Sequence, residues 1–188
     1  GNWKLVFLVY AVASFLAVIW LYFTTINETK METNTASFKT CFSLLRNKFI
    51  LTMVLGIFLL VGVEVSMNSN IANFLQNRHG ISLENASLGI SIFFTSVMIG
   101  RFLGAVILQW ISARKFFVFT SILAIVGLIA FILSPNLFIS RICIFIIGLG
   151  LANLFPLIFS IAVEKMPARI NEISGLMIMA IAGGAFLP

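Results

Sequence analysis

A carboxylate within a long apolar stretch is the residue of this chain whose chemistry most needs an explanation. Glu64 is the only ionisable side chain between Phe49 and Leu75, a stretch long enough to cross a bilayer. A charge inside a membrane is costly, so such a residue usually faces a bundle interior or a watery cavity. Asn68 follows four residues later and lies on the same helical face. Because carboxylate and amide groups hydrogen-bond polyhydroxylated ligands, we predict that Glu64 and Asn68 bind substrate.

A second polar group at membrane depth lies in the segment Gly-Arg-Phe-Leu-Gly, which begins at Gly100. Gly100 and Gly104 are four residues apart, a spacing that lets two helices approach closely. Arg101 lies between them, and Arg114 and Lys115 form a basic pair where this apolar run ends. We predict structural and conformational roles for these five residues, with substrate contact by Arg101 as the alternative.

A third polar group, Asn153, precedes Pro156 within another apolar run. Proline lacks an N–H donor and disturbs a helix, which leaves backbone carbonyls for a neighbour or water to satisfy. Transporters place binding sites and hinges at such broken helices. We therefore predict substrate binding by Asn153 and a conformational role for Pro156. The alternatives are a fixed kink at Pro156 and asparagines that join helices by hydrogen bonds.

The elements that must position these residues are membrane-spanning helices. The 188 residues are 61% hydrophobic and 10% charged, with a mean hydropathy of +1.12, whereas soluble domains carry about 25% charged residues. A helix needs about 20 apolar residues to cross a bilayer. We predict an all-α, polytopic transmembrane bundle of six spans, the last of them incomplete. The six apolar runs are Lys4–Phe23, Phe49–Leu75, Leu88–Ile111, Phe116–Leu133, Leu137–Val163 and Ile173 to the chain end.

The orientation of these spans follows from the basic residues of the loops, which cluster in every second loop. By the positive-inside rule, loops rich in Lys and Arg are cytoplasmic. The first, third and fifth loops are therefore predicted to be cytoplasmic, and the second and fourth to be outside. The basic residues concerned are Lys30, Lys39, Arg46 and Lys48, then Arg114 and Lys115, then Lys165 and Arg169.

Several other classes of protein are disfavoured by residues that the chain lacks. It contains no Asp and no His-Glu-x-x-His motif, and its only histidine, His79, is predicted to lie in an outside loop. We accordingly predict no catalytic residue, no metal site, no cofactor and no enzymatic activity. Filter-like repeats and charged rings, which would favour a channel, are also missing, as is a polybasic segment for nucleic acid. A non-transporting membrane scaffold or assembly subunit stays open as the alternative.

Four segments resemble the fucose/galactose/glucose:proton symporters of the major facilitator superfamily. The four segments, in chain order, are Val-Gly-Val-Glu ending at Glu64, Ile-Gly-Arg-Phe-Leu-Gly ending at Gly104, Phe-Pro-Leu-Ile-Phe-Ser starting at Phe155, and Ser174 to Ala185. The resemblance implies the sixth to eleventh of twelve helices, with a helix over residues 1–23, a cytoplasmic linker over 24–48 and a carboxy-terminal helical domain over 49–188. It also implies proton-coupled monosaccharide uptake by alternating access in the bacterial inner membrane.

The resemblance further implies where the proton is handled. In these symporters the acidic residues of proton coupling generally lie in the amino-terminal half, so Glu64 is not expected to inherit that role. The expected partners are a small polar solute, most simply a sugar, together with protons, the lipid bilayer and the amino-terminal half of the same protein. The segment Ala-Asn-Leu-Phe-Pro ending at Pro156 departs from the expected pattern of more polar or small residues. It leaves the identity of the sugar, and transport of another small solute, open.

Overall fold

A computed structural model describes residues 3–24 and 37–187, and in these residues the chain is helical with no strand. The prediction of an all-α protein is confirmed for this part. The helices are α1 (Trp3–Phe23), α2 (Phe38–Leu44), α3 (Lys48–His79), α4 (Leu83–Ile107), α5 (Ala113–Ile132), α6 (Leu137–Leu151), α7 (Leu154–Lys165) and α8 (Ile170–Gly184), with a 3₁₀ turn at Pro167–Arg169 before α8.

Five of the six predicted spans are long and apolar enough to cross a membrane. They are Lys4–Phe23, Lys48–His79, Leu83–Ile107, Ala113–Ile132 and Leu137–Lys165. The last combines α6 and α7. The sixth predicted span, expected to be incomplete, corresponds to α8, whose 15 residues reach about 22 Å at the rise of an α-helix.

The chain divides into two compact units, residues 1–32 and 33–188. The described part of the first unit is α1, whose large apolar side chains from Leu5 to Phe23 are exposed. Exposed apolar side chains along a helix of this length are what a lipid-facing span requires. The domain boundaries predicted from the sequence, at residues 23 and 48, stay a prediction. The described part of the predicted linker contains the short helix α2.

Helix α6 is the central element of the second unit and packs against both α4 and α5. Its glycines make this possible. A Cβ on Gly148 would collide with Ser96 of α4, and one on Gly150 would lie 2.6 Å from the Ala124 nitrogen of α5. Two helices can therefore approach α6 at once, because neither meets a side chain at these positions.

The interruption between α6 and α7 falls at Ala152 and Asn153, just before Pro156. In a continuous helix the Pro156 nitrogen would bond the Ala152 carbonyl, but proline has no proton to donate and its ring clashes with that carbonyl. A new helix begins instead at Leu154, with Pro156 in its first turn. The fifth span is therefore built from two helices.

Candidate functional site

Glu64 and Asn68 lie in a groove between α3 and α4. The groove has a volume of about 250 Å³ and is open on one side. Its apolar lining consists of two phenylalanines and two valines, and its polar groups are one carboxylate, one amide and one guanidinium. The lining residues are Glu64, Val65 and Asn68 from α3, and Phe93, Phe94, Val97 and Arg101 from α4. Its apolar lining with a few convergent polar groups is that of a small-molecule site, and its volume lies below the roughly 300–1,000 Å³ of a complete pocket.

Glu64 and Arg101 carry opposite charges on the two walls of this groove. Glu64 is half-buried and Arg101 is exposed. In the described part of the chain neither makes a hydrogen bond or an ion pair, although the two charges attract each other. Because both charged groups lack a protein partner, both are available to a ligand that enters the groove.

Asn68 is exposed, and the amides near it differ in how they are used. Asn70 donates its Nδ2 to the Ser66 carbonyl, 2.9 Å away on the same helix. One N–H of the Asn70 amide is therefore used within α3, and Asn70 does not line the groove. Asn68 has no such bond among the described residues, so its amide can both donate and accept toward a ligand.

Asn153 lies outside this groove, where the interruption between α6 and α7 packs against α4. Its side chain is buried, and its Nδ2 donates to the Gly100 carbonyl at 2.7 Å. Gly104 lies directly against it, since a Cβ on Gly104 would collide with the Asn153 amide. Gly100 and Gly104 thus form the surface of α4 against which Asn153 packs, which we call its seat. Asn153 does not line the groove that contains Glu64 and Asn68.

Arg101 points the other way on α4 and lines the groove, although Gly100 beside it is buried. It also lines an adjoining shallow depression, about 470 Å³ in volume, whose other residues include Phe94 and Phe102. The remaining conformational candidates lie elsewhere. Arg114 faces a second cavity near the ends of α3 and α7, Lys115 is exposed, and Pro156 is exposed in the first turn of α7.

Sequence reasoning missed a chain of hydrogen bonds at the other end of α3. His79 is the last residue of α3 rather than a loop residue, and its Nε2 lies 2.8 Å from Ser140 Oγ. Ser140 Oγ lies 2.6 Å from Ser134 Oγ, and both serines are buried. A Ser–His pair therefore exists, but the Ser140 hydroxyl is enclosed and also donates to the Asn136 carbonyl. The arrangement ties α3 to the turn between α5 and α6.

An ion pair at the start of α8 was equally invisible in the sequence. Arg169 donates from Nε and Nη2 to the two Glu172 carboxylate oxygens, both at 2.8 Å, and from Nη2 to the Thr40 carbonyl of α2 at 3.3 Å. This two-pronged hydrogen bonding lowers the pKa of Glu172 below its ordinary value of 4.5. The pair fixes α2 against α8, just before the sixth apolar run.

A bundle of apolar spans with a polar groove and a broken helix belongs to the class of helical membrane proteins that includes solute transporters. The sequence profile of the Major Facilitator Superfamily matches residues 1–188. The chain belongs to the major facilitator superfamily.

Two relatives and one solved structure define the match further. The glucose/galactose transporter of Brucella abortus (strain 9-941) is 33% identical over 136 residues, which are 71% of this chain and 33% of the relative. The putative glucose/galactose transporter of Helicobacter pylori (strain 26695) is 30% identical over 146 residues, 78% of this chain and 36% of the relative. The chain thus spans about a third of the length of these curated relatives.

The crystal structure of the Escherichia coli fucose:proton symporter FucP shares the fold. It superposes with a TM-score of 0.81 at 17% identity, covering 96% of this chain and 45% of FucP. The prediction that this chain forms half of a major-facilitator fold is confirmed. At this identity the likeness concerns the fold.

Proposed function

We propose that this chain is part of a secondary active transporter that carries a small polar solute, most simply a monosaccharide, together with a proton. The observation that carries the proposal is the groove that Glu64, Asn68 and Arg101 line together with two phenylalanines. Sugars are bound by polar groups that address their hydroxyls and by apolar faces that cover their C–H groups. The names of the two relatives, both glucose/galactose transporters, support the same solute class.

In this proposal Glu64 accepts hydrogen bonds from substrate hydroxyls, and Asn68 both donates and accepts. The proton is carried by an acidic residue in the rest of the protein, because the resemblance assigns coupling to the other half. Alternating access would arise from rocking of the two halves around a site near the middle of the membrane. The groove in α3 and α4 would then be one wall of that site.

Asn153 and Pro156 are proposed to act on the conformational side of the cycle. Substrate binding by Asn153 stays a prediction, and its hydrogen bond to Gly100 supports a role in holding the α6–α7 break against α4. Arg114 and Lys115 mark the end of the membrane-embedded part of this region. We place the protein in the bacterial inner membrane with its basic loops in the cytoplasm.

The second candidate is a carrier of a charged solute in the same superfamily. The exposed Arg101 guanidinium favours it, because an unpaired arginine beside a groove can bind a carboxylate or phosphate. The non-transporting scaffold has no comparable support. Neither candidate is an enzyme, and the enclosed Ser140 hydroxyl gives the Ser–His pair no route to a substrate.

The proposal is tested by uptake of labelled glucose or galactose in cells that express the full-length protein. Glu64→Gln should lower uptake about 10-fold, because a hydrogen bond to a charged acceptor contributes about 1–1.5 kcal/mol more than one to the neutral amide that replaces it. Asn68→Ala should have a smaller effect and raise KM. Matched controls are Glu84→Gln, an exposed acid in the first turn of α4, and Asn70→Ala, whose amide is used within α3.

Equal membrane levels of all variants are verified by immunoblotting before uptake is compared. Normal uptake in Glu64→Gln would refute the substrate-binding role of the groove. If the wild-type protein took up an organic acid but neither sugar, and Arg101→Gln abolished that uptake, the charged-solute proposal would replace the sugar proposal.

A further inference from the structure

A second cavity, separate from the groove, lies between α3, α5 and α7. Its volume is about 520 Å³, and it is more enclosed than the groove. Two cationic side chains and six apolar ones line it. They are Arg114 and Lys165, with Phe49, Met53, Phe117, Val118, Ile158 and Ile161.

The two kinds of side chain are separated by depth in the membrane. Phe49 and Arg114 are each the second residue of their helices, and Lys165 is the last residue of α7, so all three lie at one end of the bundle. Met53 lies about 6 Å deeper than Phe49, and Ile158 about 10 Å deeper than Lys165, at the rise of an α-helix. The cavity is therefore cationic at the membrane edge and apolar toward the middle.

The two cations are held at the cavity without being neutralised. Lys165 Nζ lies 4.2 Å from the centroid of the Phe49 ring, a cation–π contact that keeps the ammonium at the rim. Arg114 makes no hydrogen bond or ion pair with any residue in the described ranges. The nearest acid in sequence, Glu164, does not line the cavity and accepts a hydrogen bond from Ser160 at 3.2 Å.

We propose that this cavity binds an anionic phospholipid, with the phosphate between Arg114 and Lys165 and one acyl chain along the apolar wall. Charge complementarity identifies the occupant, because the cationic rim faces the headgroup level and the apolar wall extends toward the bilayer interior. Basic pockets between spans bind anionic headgroups in this way. A soluble anion would use the rim and leave the wall uncovered. With the basic loops in the cytoplasm, the lipid comes from the cytoplasmic leaflet.

Native mass spectrometry of the purified full-length protein tests the site. The protein is titrated with phosphatidylglycerol, with phosphatidylcholine of the same chains, and with glycerol phosphate, which has the anionic head without the tails. Phosphatidylglycerol should bind at one saturable site, and the other two should bind far more weakly. Arg114→Gln combined with Lys165→Gln should weaken this binding about 25-fold, at about 5-fold for each cation removed near a membrane surface.

The matched control removes the same charge from the same end of the bundle. Lys48→Gln combined with Lys115→Gln changes two exposed cations that do not line the cavity, and it should leave the saturable site intact. The exchange Arg114→Lys with Lys165→Arg preserves the charge and should also retain binding. Circular dichroism verifies that all variants are folded.

Three results would overturn the proposal. Equal weakening in the control pair would mean that lipid is attracted to the whole basic surface rather than to this cavity. Glycerol phosphate competing as well as the lipid would mean an anion site without a role for the apolar wall. Absence of saturable phosphatidylglycerol binding to the full-length protein would mean that another segment or a second copy fills the cavity.

Discussion

The contact between Asn153 and the two glycines of α4 allows a sharp test of what this asparagine does. Gly104→Ala adds a methyl group at the point where the Asn153 amide lies, and the amide cannot swing aside without losing its 2.7 Å bond to the Gly100 carbonyl. Asn153→Ala removes both the obstacle and the bond. If the three residues act as one seat, the two substitutions must be coupled.

The expected magnitudes follow from this geometry. Gly104→Ala should cost about 1–3 kcal/mol for overpacking, offset by about 1 kcal/mol of helix propensity. Asn153→Ala should cost about 0.6–1.7 kcal/mol, the range for hydrogen bonds between membrane helices, because the Gly100 carbonyl still has its partner within α4. In the double variant the overpacking term disappears. It should therefore be about 1–3 kcal/mol more stable than the sum of the single effects.

The assay is reversible unfolding of the full-length protein in mixed micelles, with sodium dodecyl sulfate as denaturant and circular dichroism as the signal. The control pairs Asn153→Ala with Gly127→Ala. A Cβ on Gly127 would lie 2.9 Å from the Ile147 side chain, in the α5–α6 contact rather than beside Asn153. That pair should be additive within about 0.5 kcal/mol.

Additive effects of Gly104→Ala and Asn153→Ala on stability would refute the idea that Gly100, Gly104 and Asn153 act as one unit. So would a single Asn153→Ala variant of unchanged stability whose uptake is lost. That second result would return Asn153 to the substrate site, as the sequence predicts.

Two further predictions concern α8. Gly184→Ala should lower the unfolding free energy by about 1–3 kcal/mol, because the new Cβ would collide with the Phe58 carbonyl of α3. Gly175→Ala, whose Cβ would meet Cys41 Sγ at an ordinary 3.9 Å, is its control and should be neutral or stabilising; equal losses would contradict the close packing of α3 on α8. The lowered pKa of Glu172 means that its pair with Arg169 contributes stability above the ordinary pKa of 4.5, and that this stability is lost as the pH falls through the lower folded value. In Glu172→Gln the free energy of unfolding should therefore depend less steeply on pH below 4.5 than in the wild type. An unchanged dependence would show that the pair does not stabilise the fold.

Much of the fold could be predicted because the membrane imposes length and composition on each span. The apolar run that contains Glu64 becomes α3, and the disturbance expected at Pro156 is an interruption at Ala152 and Asn153. Helix α2 was missed because seven residues, Phe38 to Leu44, give too short a pattern to separate from a polar loop. His79 was misplaced because α3 continues past its apolar part until Gly80, which adopts a positive φ of 63°.

The site was only partly predictable, because depth in the membrane does not determine direction around a helix. Arg101 and Asn153 both lie at depth, where a polar residue faces either the bundle interior or a watery cavity. Neighbouring positions on α4 differ by about 100° around the axis. Gly100 therefore faces the end of α6 and accepts the Asn153 bond, whereas Arg101 turns to the groove. The glycine pair Gly100 and Gly104 was the sequence feature that could have revealed the Asn153 contact, because two small residues on one face allow a side chain of the facing helix to pack closely.

In the proposed transporter, this division of polar groups separates the residues that hold the packing from those that bind and release the solute. Asn153 is buried and hydrogen-bonded, so it stabilises one packing of α4 against the α6–α7 break. Glu64 and Arg101 make no hydrogen bond or ion pair in the described ranges, so they can exchange a ligand for water without a loss of internal bonds. If the polar groups were reversed, with the charges paired and the asparagine free, the groove would have to break an ion pair inside the membrane in each cycle. In the proposed transport cycle the observed arrangement avoids that cost, and α4, which carries both the seat and Arg101, connects the groove to the α6–α7 break.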